Sequence, residues 1–417
     1  MEPLLYLVHR IPYPPNKGDK IRSFNLLRYL AQRYRVYLGC FVDSREDLAH
    51  TDALRQWCAE VRVVPLSPRL ARVRSLAGFL SGSALTLPYY QDAKLQSWVR
   101  DIVKRERIER AVAFSSPMAQ FVRGLPELRT VVDLVDVDSA KWTSYADEHR
   151  WPLSAVYRRE GERLLAFERD AVARSAAGVL VTAAEARLFG RLAPECSARV
   201  HVIENGVDSD FFAPDHQIAS PFGEGETSIV FTGAMDYWPN VDAVTWFARE
   251  VLPLIARQRA DVRFYVVGMN PSAAVRALAS DPRVVVTGRV DDVRPYLQHA
   301  AAVVAPLRIA RGVQNKVLEA MSMARPVVVS AVAAEGLRGR PGVELETAEG
   351  ATAFADRTLA VLDPRRGNPM GERARALICE RYCWDRSLAQ FGELLEAATS
   401  GGRTSAGTVV SDLALAG

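Results

Sequence analysis

Short apolar runs rich in Val, Leu and Ile alternate along this chain with longer stretches whose apolar positions recur at helical spacing. The runs predict strands at Leu4–Val8, Arg35–Phe41, Val61–Pro65, Arg110–Phe114, Thr130–Leu134, Val179–Thr182 and Val200–Ile203. A second series follows at Ser228–Phe231, Arg263–Val267, Val284–Thr287, Ala302–Ala305 and Val327–Ser330. Helical patterns fill most gaps: Ser23–Gln32, Gln91–Arg105 and Ser154–Ser175 first, then Asn240–Arg257, Ser272–Ala279, Val293–Gln298, Gln314–Met323 and Gly350–Leu362. Two successive α/β series imply two doubly wound parallel sheets. Gly, Pro, Asp and Ser collect between Asn205 and Gly225, which marks the boundary. The expected division is 1–205, 206–380, a terminal helix within 381–399 and a Gly/Ser/Ala-rich tail at 400–417.

Composition narrows the class. A chain of 417 residues with 49% hydrophobic and 24% charged positions is that of an ordinary globular protein of two domains. No long uninterrupted apolar run predicts a membrane-spanning helix, and MEPLLYLVHR reads as a first buried strand. The five cysteines are odd in number and form no CxxC pair, which suggests reduced thiols and a cytoplasmic location. The net charge of +4 hides an asymmetry: residues 1–100 hold 15 Lys and Arg against 8 Asp and Glu, and the remainder holds 38 against 41. A basic first quarter implies an anionic partner. No nucleic-acid motif accompanies it, so a membrane surface or an anionic acceptor fits better.

The segment Arg308–Ser330 carries the most chemistry. It reads as a basic turn, an amphipathic helix and a β-branched strand, so that a helix start faces the ligand crevice of a parallel sheet. Arg308, Arg311 and Lys316 flank that start, with Gly312 and Val313 in the turn. Exposed N–H groups and cations suit a diphosphate, and Glu319, about one turn deeper, suits the paired hydroxyls of a ribose. The competing reading is a solvated basic turn with an exposed helical Glu.

Five stretches make the pattern specific: HRIPYPPNKGDKIRS after the first strand, VIENGVDSDFFAP at the boundary, VFTGAMDYWPNVDAV, VTGRVDDVRPYL and NKVLEAMSMARPVVV. From Leu4 to about Ala397 the chain resembles the GT-B glycosyltransferases of family four, retaining enzymes that use nucleotide sugars. In fuller wording it is similar to the sugar transferases of PEP-CTERM/exosortase systems, associated with exopolysaccharide assembly. The resemblance implies two Rossmann-like domains facing a central cleft, with a C-terminal helix (Asp385–Ala397) crossing back to the first domain. It implies a nucleotide-sugar donor, a glycan or lipid-linked acceptor, and neither cofactor nor metal. Glu319 matches the ribose-binding glutamate. Gly288, Arg289 and Val290 match the loop that holds the base. Gly18 and Gly233 match glycines that let backbone approach the donor. Two departures stand out. The sugar-facing glutamate of relatives falls on Arg311, and their diphosphate-binding Arg and Lys fall on Ala234 and about Pro239 or Asn240. Arg311 and Lys316 are the expected replacement clamp, with Arg308 beside them.

In the first domain, DLVDVD ends a strand. Asp136 is the candidate for orienting or deprotonating the acceptor hydroxyl, with Asp138, His9 and Lys20 as acceptor-side candidates. The alternative is that Asp136 or Asp138 caps the helix starting at Ser139. Asp136-Val137-Asp138 also matches the metal-holding tripeptide of GT-A enzymes, whose architecture this chain lacks. An epimerase or hydrolase of the same fold and a non-catalytic sugar-nucleotide-binding protein are the rival functions. Lastly, Ser67–Leu80 places Arg69, Arg72 and Arg74 beside Leu70, Val73, Leu76, Phe79 and Leu80. It reads either as a helix lying on an anionic inner-membrane surface or as a core-packed helix with solvated arginines.

Overall fold

The computed structural model describes residues 1–15, 18–215, 217–310, 313–363, 365 and 367–397. The first sheet is built from β1 (Glu2–Val8), β2 (Tyr34–Val42), β3 (Glu60–Pro65), β4 (Arg110–Phe114), β5 (Arg129–Val135), β6 (Ala177–Leu180) and β7 (Val200–Val202). Their order is β3-β2-β1-β4-β5-β6-β7, and every pairing is parallel. The second sheet holds β8 (Thr227–Thr232), β9 (Val262–Val267), β10 (Val284–Gly288), β11 (Ala302–Ala305), β12 (Val327–Ser330) and β13 (Glu346–Ala348), in the order β10-β9-β8-β11-β12-β13, again parallel throughout.

Strands covered by helices on both faces need apolar side chains on both faces, which is why they are continuous apolar runs. Leu4 through Val8 are all fully buried, as are Ile229 through Phe231 and Val327 through Val329. The apolar pattern predicts every strand but β13. That strand is three residues long, reads Glu-Thr-Ala, and pairs only with β12.

Each sheet reverses its winding direction at one place, between β1 and β4 and between β8 and β11. Ligands in open α/β sheets bind beyond the carboxyl ends of strands at such switch points. The residues that follow β1 and β4, and β8 and β11, therefore define where a site is to be sought.

The chain crosses between domains twice, side by side. Val207 donates its N–H to the Tyr382 carbonyl at 2.7 Å and bridges to Cys383. A Cβ on Gly206 would lie 2.6 Å from the Trp384 nitrogen, so only glycine lets the two crossings touch. The last described helix, Trp384–Ala397, then packs into the first domain. Trp384, Leu388, Phe391 and Leu395 join the core formed by Leu4, Tyr6, Leu26 and Leu30.

Candidate functional site

At the second domain's switch point, β8 ends at Thr232 and the chain turns through Gly233 and Ala234 into the helix Trp238–Trp246. The glycines here are dictated by space. A Cβ on Gly233 would lie 2.7 Å from Asn240 Nδ2, and one on Gly268 would strike the Gly233 carbonyl oxygen at 1.7 Å. Asn240 donates to the Ala234 carbonyl at 2.9 Å, which fixes the turn. It also accepts a hydrogen bond from Lys316 Nζ at 2.5 Å.

Lys316 sits in the first turn of the helix Asn315–Ser322, after β11. Its side chain leans back toward the helix N-terminus, as helical side chains favour. Its ammonium lies over the Phe231 ring, 4.2 Å from the centroid, and 3.2 Å from where a Gly233 Cβ would be. The cation therefore stands at the very turn, Ala234 to Asn240, where the sequence lacks one. Glu319 lies on the same helix. Burial lowers the Lys316 ammonium and raises the Glu319 carboxyl, each toward about 7, while their opposite charges oppose both shifts.

Other donor-side candidates are placed as follows. Arg308 is held by Asp242 in a two-pronged ion pair, so its charge is already engaged. Arg289 pairs with Glu46 of the first domain at 2.9 Å. Gly288 has φ 70°, and its carbonyl accepts the Gly268 N–H at 3.1 Å. Val290 and Val313 pack against the second domain's core. Arg311 and Gly312 lie outside the described residues.

The first domain brings its own strand ends to the gap. β5 carries a register shift between Asp133 and Val135, and Val135 adopts φ 67°. A β-branched residue is strained in that region, so neighbours must hold it there. Asp133 Oδ1 accepts the Val135 N–H at 3.2 Å, and Asp133 is in turn gripped by Arg22 at 2.8 Å. Asp136 follows directly. It does not cap the next helix, Asp138–Glu148: Glu185 accepts the Val137 N–H at 2.7 Å, and Glu168 accepts Ser139 Oγ at 2.5 Å and the Ser139 N–H at 3.3 Å. Asp136 Oδ1 is buried without a hydrogen-bond partner. Burial pushes the Asp136 carboxyl up to about 7, with the charges of Glu185 and Asp138 adding to the effect.

Asp138 raises the buried Lys141 ammonium against the pull of burial. Burial also raises the Tyr237 phenol of the second domain, and the charges of Lys141 and Asp136 both act on it. These groups thus face one another across the gap between domains. His9, after β1, stacks on Phe114 and meets the Tyr90 ring edge-on, both at 6.0 Å. Its Nε2 is 3.4 Å from Asp19, and its Nδ1 is buried without a partner. Although burial alone would raise Asp19, His9, Arg10 and the Lys20 N–H hold it well below the usual carboxylate range. Lys20 is not brought to the gap: it is fully buried and paired with Asp47 at 2.7 Å.

The two halves meet at Gly18. It starts the helix Gly18–Ala31, and a Cβ there would lie 3.7 Å from Asn315 Nδ2 at the start of the donor-side helix. Two helix N-termini therefore approach each other here, and helix N-termini favour phosphate. Asn205 Nδ2 donates to Asn315 Oδ1 at 3.3 Å, and Asn205 Oδ1 accepts from Arg22 Nη1 at 2.9 Å. Nothing in the sequence marks Arg22, Asn205 or Tyr237 as site residues. Arg22 and Asp133 stand in the quoted motifs, but nothing in their spacing signals a contact across 111 positions. Among the described residues no group of His, Cys, Asp and Glu is arranged to hold a metal ion.

Two facing parallel-sheet α/β domains with a helix crossing back define the GT-B architecture. The chain is similar in fold to HepE from Anabaena, solved with UDP (TM-score 0.70, 15% identity, 95% of this chain and 100% of that one). It is similar to a sucrose-phosphate synthase from Thermosynechococcus elongatus (0.70, 15%, 95% and 99%). It also resembles WaaG, a glycosyltransferase involved in lipopolysaccharide biosynthesis (0.62, 15%, 96% and 100%). No curated protein matches the chain in sequence. Residues 226–364 match the family model described as Glycosyl transferases group 1. The second domain is thus similar to that family, and the whole chain shares the GT-B fold.

Proposed function

We propose that the protein moves a sugar from a nucleotide-diphosphate donor to an acceptor hydroxyl, with retention at the anomeric carbon. The observation that carries this reading is Lys316 on Asn240 and the Gly233–Ala234 turn, with Glu319 on the same helix and the Gly18 helix start opposite. Diphosphate oxygens would take the helix N–H groups, Lys316 and Arg311, and ribose hydroxyls would donate to Glu319. HepE, of the same fold, was solved with UDP, with UDP and glucose, and with UDP-glucose, which supports a nucleotide-sugar donor.

In the reaction the acceptor oxygen forms a bond to the anomeric carbon on the same face from which the diphosphate oxygen departs as its bond breaks, so the configuration is retained. The electron pair leaves with the diphosphate, where Lys316 stabilises the growing charge. Asp136 orients the acceptor hydroxyl and takes its proton; a carboxyl titrating near 7 is suited to that exchange. The motif resemblance supports a glycan or lipid-linked acceptor in exopolysaccharide or cell-surface glycan assembly.

A thermal-shift screen of UDP-, GDP- and ADP-sugars, followed by transfer assays with and without EDTA, tests the proposal. Stabilisation by one nucleotide class and EDTA-resistant transfer are expected. Tight binding with no turnover on any acceptor would assign a binding protein instead, and nucleotide release without acceptor a hydrolase or epimerase. Loss of activity restored by Mn²⁺ or Mg²⁺ would make Asp136 and Asp138 metal ligands.

A further inference from the structure

Of the segment Ser67–Leu80 only Ala71 joins the hydrophobic core. The segment forms two short helices, Pro68–Ser75 and Ala77–Ser81, joined through a helical Leu76 and closed by Gly82 at φ 69°. Ala71 and Gly78 face inward and are buried. The large apolar side chains face water: Leu70 is 71% exposed, Val73 67%, Leu76 56% and Leu80 94%. At 100° per residue these four fall within an arc of roughly 120°. Arg69 falls inside the same arc and Arg72 beside it. Among the described residues neither arginine makes an ion pair. From Leu66 to Gln91 there is no Asp or Glu.

The platform is braced from beneath. Arg159 donates to the Ser83 and Gly78 carbonyls at 3.1 and 2.8 Å and lies under the Phe79 ring. Glu160 accepts the backbone N–H groups of Leu85 and Thr86. The helix that supplies both, Leu153–Arg174, begins with exposed Leu153 just after exposed Trp151. Arg74 is drawn away from the outer face to the Pro88 and Tyr89 carbonyls at 2.6 and 2.5 Å. The next residue, Tyr90, meets His9 edge-on.

We infer that this braced face is a docking surface for an anionic lipid bilayer. An apolar stripe with embedded arginines, on a segment that carries no acid of its own, matches the chemistry of that surface: the leucines enter the acyl boundary while Arg69 and Arg72 snorkel to phosphate headgroups. Because the platform is tied through Arg74 to the segment ending at Tyr90, docking sets the cleft at a fixed height above the lipid. The inference deepens the transferase reading, but only the choice of a lipid-linked acceptor rests on that reading.

The test uses the full chain with vesicles of phosphatidylcholine alone or mixed with phosphatidylglycerol. Flotation with the mixed vesicles at low salt, weakened at high salt and lost on phosphatidylcholine, is expected. The triple variant Leu70→Ser, Val73→Ser, Leu80→Ser should lose roughly tenfold or more of the partition coefficient. These side chains are exposed, so its melting temperature and UDP affinity should match the wild type. Arg69→Ala with Arg72→Ala should flatten the salt dependence. Wild-type protein that ignores the mixed vesicles, or a triple variant that floats equally well, overturns the inference. So does a wild-type dimer in sedimentation that the triple variant dissociates, since a second copy would then be the occupant. A wild type that floats but binds no nucleotide would sink the transferase reading and leave the membrane surface standing.

Discussion

Replacing Lys316 by methionine tests the donor site most directly. Methionine keeps the apolar stem over Phe231 and removes only the ammonium that bonds Asn240 at 2.5 Å. The charge stands where the turn carries no other cation, since Ala234 and Asn240 are neutral and Arg308 is committed to Asp242. A charge-assisted hydrogen bond to a bound diphosphate contributes about 1.5–3 kcal/mol, so UDP affinity should fall roughly 10- to 150-fold. More charge collects on the leaving oxygen in the transition state than in the ground state. Loss of one such preorganised donor costs about 10²–10³ in rate, or about 2.7–4 kcal/mol, so kcat/KM should fall more than affinity does. Uridine, which has no phosphate, should bind nearly as before. Lys316→Arg should not rescue, because Asn240, Phe231 and the Gly233 turn leave no room for a forked guanidinium. Calorimetry with UDP and uridine, beside steady-state transfer, separates these effects. A methionine variant that transfers within about threefold of wild type would refute the clamp and shift attention to Arg311.

Four further outcomes follow from the same geometry. Glu319→Ala should weaken uridine and UDP alike, by about 1.5–3 kcal/mol in calorimetry, because it removes the ribose acceptor; unchanged affinity in the folded variant would void the assignment. The pH profile of kcat/KM should be bell-shaped about neutrality. Asp136 works only when ionised, so rate rises through about 7, and Lys316 works only when protonated, so rate falls again above it. Bound diphosphate raises the Lys316 pKa, so the falling limb should move to higher pH in kcat; two coincident profiles would contradict that role. Asn205→Ala should lower kcat while leaving UDP affinity unchanged, and should destabilise the fold by about 1–3 kcal/mol by leaving Arg22 short of a buried acceptor; an altered UDP affinity would place Asn205 on the donor instead.

Much of this architecture is local information. Buried parallel strands are continuous apolar runs, and β1, β4, β11 and β12 fall where the runs put them, within two residues at each end. Glu319, Lys316 and the Gly233 turn can be picked out as candidates because a helix start, a cation and a carboxylate at fixed spacing carry chemistry of their own. What the sequence hid is contact across distance. Asp136 reads from sequence as a candidate cap, and nothing local tells that Glu185 and Glu168 take the N–H groups it would have taken. Lys20 reads as an acceptor-side cation, yet its charge is spent on Asp47, an acid 27 positions on that only the packed helices bring near. The exposure of Leu70, Val73 and Leu80 was equally hidden, because an amphipathic stripe looks the same whether it meets a core or a membrane.

The buried pair of Arg22 and Asp133 joins these observations. A buried ion pair is weak evidence for stability, since desolvating two charges can cost as much as their attraction returns. Its value here is geometric. Every side-chain nitrogen of Arg22 has an acceptor: Nε and Nη2 hold the two Asp133 oxygens, and Nη1 holds the Ile203 carbonyl and Asn205 Oδ1. Asp133 fixes the strained turn that presents Asp136, and Asn205 reaches Asn315 at the start of the helix bearing Lys316 and Glu319. One planar cation thus ties the turn that presents Asp136, the crossing between domains and the helix bearing Lys316 and Glu319 into a common frame. A lysine could not do this, because it offers one nitrogen where four fixed directions are needed. The proposed transfer would require an acceptor oxygen and a leaving diphosphate, each assigned to a different domain, to be held within bonding distance of the same carbon. A rigid, fully satisfied junction beneath both is what lets two separately folded sheets act as one site.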